Sequence, residues 1–483
     1  MRNKHDRNTK FCFGAAGALL ALGLLVILLA GHRGIAHNCF NVTDFGILQQ
    51  GIYNFSIPDS LNPERSVRGV KVLNDHFDPI MFIAKPWSMI FDYHPTSLIF
   101  FEWFWFFLLF PICYLLKKKD GAGAGEIAVC FFLLFFCRGL LAALNYPIHP
   151  STWAMTPLFL VSYYMGKNKT KEILVLFFLL AFYREIFPIL AGCLGLWYAL
   201  IKQYKKAFLL IVLAALFGII VFLVRPLLVG PMLKYGDHFI GMILENPFKA
   251  LYESVVSLKW GALIKLLLPF VFPIGWILKK EAKDLSHPAI GVIFMLSPLF
   301  LLHILANQFM NHYGVSFVAP LLGIIIFSTM PKLIAKKRAL ALIVLIPFFA
   351  TSTSSHTKIV QKAFFKKIKS CDMDSKKLAA TKKMLSIKSQ FGVETQILAS
   401  GGVIPLLIRP QAQIFHINSW IKTRESYDLM IYERNQTGRH HPLDGSQIEK
   451  IIKSCKLSGG EILMDDHYYF VMKGPIKKSC LQI

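Results

Sequence analysis

Residues 11–30 read FCFGAAGALLALGLLVILLA, twenty positions without a charge. About 20 apolar residues in a helix cross the hydrocarbon core of a bilayer. Four basic residues (Arg2, Lys4, Arg7 and Lys10) stand in front of this run. A signal peptide has a shorter apolar core followed by a small-residue cleavage site, and Ala30-Gly31-His32 is a poor one. The run is therefore expected to stay as an anchor. Outward from it, further apolar stretches lie near 95–116, 126–144, 150–166, 172–183, 185–201, 207–224, 260–278, 288–305, 313–330 and 338–351. With the first, they predict about eleven transmembrane helices. The stretch 172–183 is too short to span alone, so a half-helix or tilted segment is expected there.

Composition agrees. Of 483 residues, 55% are hydrophobic and 17% charged, against roughly 45–50% and about 25% in soluble domains. That excludes a soluble enzyme, a disordered chain and a disulfide-stapled mini-protein. The excess ends near residue 352. The expected organisation is a multi-pass transmembrane domain over 1–351, with a first outer loop at 31–94 carrying interfacial helices, and a soluble domain over 352–483.

The net charge of +25 is explained by orientation rather than by nucleic acid. Lys and Arg gather in short clusters between apolar runs, as the positive-inside rule requires. With the N-terminus inside, the inner loops carry Lys117–Lys119, Lys167/Lys169/Lys171, Lys202/Lys205/Lys206, Lys279/Lys280/Lys283 and Lys332/Lys336/Lys337/Arg338. An odd number of spans then puts the C-terminal domain outside.

Residues 352–483, with 21 Lys/Arg against 11 Asp/Glu, read as a small α/β domain. Strands are predicted at Thr395–Ala399, Ala412–Ile417, Tyr427–Tyr432 and Tyr468–Met472, and a helix at Ser446–Cys455. Ala399-Ser400-Gly401-Gly402 favours a strand-to-helix turn over a phosphate loop. Cys12, Cys113, Cys130, Cys137 and Cys193 fall in apolar runs and behave there as small hydrophobes. Cys39, Cys371, Cys455 and Cys480 lie outside them, where two could pair on an oxidising side.

Polar residues with chemical potential sit between the runs. Asp44, after the first anchor, opens an amphipathic stretch; a carboxylate there is either a general base or a helix N-cap. Asn74-Asp75-His76-Phe77-Asp78-Pro79 brings two carboxylates and an imidazole together, as for a divalent cation such as Mg or Mn, or for a solvated turn. His149 lies between two prolines, in a rigid site or a bland tight loop. Arg184-Glu185 interrupts two apolar runs, where a charge is costly; Arg184 is a natural cation for phosphate, or snorkels to the interface. Glu102, Arg138 and Lys265 are weaker versions of the same case. His312-Tyr313 opens another span. Under the charge-derived topology Asp44, His76, Asp78, His149, Arg184 and His312 all fall on the outer face, which suggests one cavity there.

These residues carry a likeness. Asp44-Phe-Gly-Ile-x-x-Gln50, Asp75-His-Phe-Asp-Pro79, His149-Pro-Ser151, Arg184-Glu185 and His312-Tyr313 occur in the order seen in the membrane proteins called domain of unknown function 2079. Over about residues 40–435 the chain resembles that family, which is grouped with the GT-C glycosyltransferases on architecture. The resemblance implies a GT-C-like fold, a polyprenyl-phosphate sugar as donor, and Asp44 as the carboxylate of the first outer loop. Many GT-C enzymes pair that carboxylate with a second one, and Asp44-Phe45 lacks the pair. Members often have Lys-Glu where this chain has Arg184-Glu185.

The function expected is sugar transfer to an acceptor at the outer face of a bacterial inner membrane. Asp44, Arg184 and Glu185 would act in catalysis. Gln50, His76, His149, His312 and Tyr313 would bind substrate, and Asp75 and Asp78 a metal. Partners would be the lipid-linked donor and membrane lipids, with no nucleic acid. Two alternatives stand beside it: a transporter or flippase for a lipid-linked substrate, and a non-catalytic membrane protein whose outer domain binds polymer.

Overall fold

The computed structural model describes residues 17, 21–23, 25–39, 43–57, 61–67, 69–144, 148–230, 246–280, 284–305, 312–330, 338–365, 367–368, 371–417, 425–434 and 445–481. The chain forms two compact units. One comprises Met1–Leu22, Leu73–Ile80 and Glu102–Thr357 and is helical; the other comprises Gly23–Val72, Met81–Phe101 and Lys358–Ile483 and is mixed.

The helices follow the apolar runs but are more broken than the runs suggest. Three are long and apolar enough to cross a membrane: Pro95–Lys119, Tyr204–Val229 and Trp260–Lys279. A fourth crossing is available if Ala124–Phe135 and Arg138–Leu144, bent by 48°, form one span. Phe187–Leu200, Pro288–Leu301 and Gly314–Ser328 are apolar but shorter. The chain is thus an integral membrane protein by composition and helix length, while the described helices give three or four full crossings by those two measures. Half of the anchor expected at 11–30 lies outside the described residues. The run expected at 338–351 continues as one helix from Arg338 to Phe364.

Local chemistry explains the breaks. The run 172–201 folds as Thr170–Leu180 and Phe187–Leu200, separated by the turn that holds Arg184 and Glu185. Eleven helical residues reach about 16 Å, too little to span. Pro188 starts the second helix, where its missing N–H costs nothing. At the C-terminal end of Pro95–Lys119, the buried Lys117 pairs with Glu126 and donates to the Ile326 carbonyl at 3.3 Å. Gly139 lets Arg138–Leu144 approach the His312–Ile324 helix, since a Cβ there would run into Val318.

In the mixed unit a five-stranded sheet contains β1 (Gln396–Ala399), β2 (Gln413–His416), β3 (Ser426–Glu433), β4 (Glu461–Asp465) and β5 (Tyr469–Lys477). Their order is β2-β1-β3-β5-β4. β1 pairs in parallel with both β2 and β3, bringing Ile397 against Ile414 and Leu429; β5 runs antiparallel to β3 and β4. Leu398, Met430, Phe470 and Met472 pack against Ile448, Ile451 and Ile452 of the Gly445–Leu457 helix. Cys455 of that helix is disulfide-bonded to Cys480, and Cys39 also lies in a disulfide. Cys113, Cys130, Cys137 and Cys193 are free thiols.

Ser400-Gly401-Gly402 is a strand-to-helix turn. Its Ser400 N–H donates to the Ile431 carbonyl, and its hydroxyl accepts from the Glu433 N–H. The Thr43–Asn54 helix packs on the short Ile404–Leu407 helix within the same unit. Gly46 permits this, because a Cβ there would collide with Ile404.

Candidate functional site

In the helical unit, three segments far apart in sequence join through one guanidinium. The turn at 181–186 presents Arg184. Leu73–Ile80 presents His76, and is tied to that turn by an Ile80 N–H bond to the Phe182 carbonyl at 3.1 Å. His149-Pro150-Ser151 enters the short Pro150–Trp153 helix.

Arg184 donates through Nη2 to Nε2 of His76 at 3.1 Å and through Nη1 to Oγ of Ser151 at 3.2 Å. A guanidinium only donates, so Nε2 of His76 accepts and its Nδ1 carries hydrogen. That Nδ1–H donates to Oε1 of Glu185 at 2.8 Å. The other Glu185 oxygen accepts from the Phe77 N–H at 3.1 Å. Ser151, having accepted from Arg184, turns its own hydrogen toward Nδ1 of His149 at 2.7 Å. The result is a continuous path from Glu185 through His76, Arg184 and Ser151 to His149.

Electrostatics support the path. Burial pushes the Glu185 carboxyl up, but the His76 imidazole with its hydrogen bond, and the Arg184 charge, outweigh it and hold the group at about 2. Glu185 lies in the turn, outside any helix, with its side chain 25% exposed. Arg225 is buried over the Phe77 ring, its charge facing Glu185, Asp78 and Asp75. Both Asp75 and Asp78 are buried.

Glu102 braces the far end of the path. It is fully buried in the Pro95–Lys119 helix, and its Oε2 accepts from the Ile148 N–H, with the His149 N–H and the Thr152 side chain beside it. Ile148 sits at φ +48°, an unfavourable backbone for a β-branched residue. The carboxylate thus holds a strained turn from which His149 and Ser151 project.

An apolar groove begins where the polar path ends. Its volume is about 150 Å³, and it is lined by Glu185 and by apolar residues including Pro188, Ile189, Phe217, Val221 and Phe222. Glu185 is its one charged wall among the described residues.

The structure brings His76, His149, Arg184 and Glu185 into one network, with Asp75 and Asp78 close by in charge. Of the other expected residues, two belong to the mixed unit and two open a helix of the helical unit. Asp44 belongs to the mixed unit, half-buried in the first turn of Thr43–Asn54. Gln50 is buried in that unit and its amide is engaged by this chain: Nε2 donates to Ser66 at 2.7 Å and to the Ala412 carbonyl at 3.2 Å, and Oε1 accepts from Val67. His312 and Tyr313 open the helix ending at Ile324; their side chains lie outside the described ones. No group of three or more His, Cys, Asp or Glu that could hold a metal occurs among the described residues. Asp75 and Asp78 both lie in the field of the Arg225 charge.

Ser151 and Arg225 join the site without having been singled out as site residues. Ser151 is announced only by its place after His149-Pro150, and Arg225 by being a lone cation in an apolar run.

No family model matches the chain, and no curated protein matches it. Among solved structures it is similar to the crystal structure of ArnT from Cupriavidus metallidurans bound to undecaprenyl phosphate. The TM-score is 0.55 at 10% sequence identity, over 97% of this chain and 99% of that one. Near-complete coverage of both chains shows that the likeness in fold runs over the whole chain.

Proposed function

We propose that this chain transfers a sugar from a polyprenyl-phosphate donor to an acceptor at the outer face of a bacterial inner membrane. The observation that carries the reading is the Arg184 centre with the apolar groove starting at Glu185. A lipid phosphate needs a cation beside a hydrocarbon-lined slot, and both occur together here. Arg184 is held by two neutral acceptors, Nε2 of His76 and Oγ of Ser151. Neutral acceptors give way to phosphate oxygens, because charge-assisted bonds are roughly twice as strong. The prenyl chain would lie along Ile189, Phe217 and Val221.

In the reaction the acceptor oxygen forms a bond to the anomeric carbon. The bond from that carbon to the donor phosphate breaks, and the phosphate leaves with the electron pair. Arg184 stabilises the charge that develops on it. Ser151 and His149 line the phosphate side, and Glu185 fixes His76. The acceptor's proton is assigned to Asp44 on the motif likeness alone. The disulfide-bonded cysteines of the mixed unit fit an oxidising compartment, in keeping with an outside C-terminus.

Purified full-length protein is expected to bind undecaprenyl phosphate, and Arg184→Gln to weaken binding by about tenfold or more, the worth of a hydrogen bond to a charged group. In membranes given labelled donor, Asp44→Asn is expected to abolish transfer while leaving that binding intact. Unchanged binding in Arg184→Gln removes the phosphate role. Transfer within about threefold of wild type in Asp44→Asn removes the base role.

A further inference from the structure

Arg138 stands at the bend between Ala124–Phe135 and Arg138–Leu144, apart from the network above. The helical unit has three arginines with described side chains. Arg184 and Arg225 both lie in the field of Glu185. Arg138 has no carboxylate partner among the described residues: its Nη1 donates to the Thr351 carbonyl at 2.9 Å and to Oγ of Ser354 at 2.8 Å, both on the Arg338–Phe364 helix. A half-buried guanidinium in a membrane protein is costly without a counter-charge.

The hydroxyls of that helix behave unequally. Thr351, Ser352, Thr353 and Thr357 each return their hydrogen to a carbonyl three or four residues back, the usual fate of Ser and Thr in such helices. Ser354 does not. It accepts from Arg138 and keeps its own hydrogen for another acceptor. Ser354 is exposed. On the same face of that helix, Ala350 one turn earlier is exposed and Pro347 two turns earlier is half-buried, so the surface leading up to Ser354 is apolar.

We propose that Arg138 and Ser354 form a binding site for the phosphate of a bilayer phospholipid. The guanidinium supplies the charge, the Ser354 hydroxyl supplies a second donor, and Pro347 and Ala350 border the acyl chains. The site is independent of the transferase reading, since it shares no residue with the Arg184 network.

The test uses purified full-length protein in detergent and two probes that differ only at the headgroup, dioleoyl phosphatidylglycerol and dioleoylglycerol. Wild type is expected to bind the first more tightly. Arg138→Gln should lose about tenfold of that affinity and none of the affinity for dioleoylglycerol. Ser354→Ala leaves the Arg138 bond to the Thr351 carbonyl in place and should lose about threefold, which keeps the test decisive if Arg138→Gln does not fold. A wild type indifferent to the phosphate overturns the site, as does a preference that survives both substitutions. Displacement of phosphatidylglycerol by inorganic phosphate overturns the assignment to a lipid.

Discussion

Arg184 and Gly46 both belong to motifs that carry the family likeness, yet they do different work. The Arg184 turn gathers hydrogen-bonding groups, and its carboxylate gives the turn a pH signature. The Glu185 carboxyl is held at about 2, below its ordinary 4.5. A group with a lowered folded pKa stabilises fully above its unfolded value and loses that stabilisation as pH falls through the folded one. The window is therefore about pH 4.5 down to 2. Thermal melting in detergent should drop between about pH 6 and pH 3 by more in wild type than in Glu185→Gln; parallel curves would show that the His76 and Arg184 contacts do not hold the carboxyl. Gly46, by contrast, is a packing residue. Gly46→Ala should destabilise by about 1–3 kcal/mol, the range for overpacking, and Ile404→Ala in the same chain should recover part of it, since touching residues couple. A double mutant no more stable than Gly46→Ala places the fault elsewhere. Sequence alone marks both motifs but not their difference. Within Asp44–Gln50, Gly46 and Gln50 are spent on Ile404, Ser66 and Ala412. His76 and Ser151 reach Arg184 across 108 and 33 positions, a separation that no local pattern encodes.

Elements show the same limit. Apolar runs are visible wherever they occur, but where a helix breaks depends on what each end finds to bond. The run 126–144 reads as one span and folds as two helices at 48°. The edge strand Glu461–Asp465 has no clean alternation, its burial passing from exposed through half-buried to buried at Met464, so periodicity does not announce it. Glu102 is the sharpest case: a carboxylate in an apolar run, which reads as a misfit, supplies the acceptor for the turn before Pro150–Trp153. Glu102→Leu removes that acceptor and leaves the buried Ile148 N–H unpaired, at a cost of about 1–3 kcal/mol. Glu102→Gln keeps an acceptor oxygen and should cost less. Comparing the melting of both with wild type checks this; equal losses would mean that volume rather than the hydrogen bond matters. Both variants should also weaken undecaprenyl phosphate binding in the same order, because Ser151 and His149 ride on the turn.

Across the whole molecule, hydropathy separates the greasy chain from its polar tail, but it does not reveal that residues 23–72 and 81–101 fold with 358–483. That grouping rests on contacts such as Asn38 donating to Glu433 at 2.7 Å and Gln49 donating to the Pro405 carbonyl at 3.1 Å, between groups more than 350 positions apart in sequence. Lys377 completes the Glu433 cluster at 2.7 Å, burying a charge pair inside the unit. Removing one member of a buried pair costs about 3–5 kcal/mol, so an inside-out insertion that left this unit misassembled would be strongly disfavoured. Orientation can be read from charge and from redox chemistry. Basic clusters close the C-terminal ends of Pro95–Lys119 and Trp260–Lys280, the ends that positive-inside bias assigns to the cytoplasm. The Cys455–Cys480 disulfide fits an oxidising side. Both agree with the proposed outside position of the mixed unit, and that position can be checked directly. In intact spheroplasts without reductant, a membrane-impermeant maleimide should label a Val393→Cys chain, whose new thiol stands at an exposed position of the mixed unit. The unsubstituted chain should give no comparable signal, because Cys39, Cys455 and Cys480 are disulfide-bonded and Cys113, Cys130 and Cys137 are buried. Labelling of Val393→Cys only after lysis would put the unit in the cytoplasm, and with it any acceptor that the unit handles.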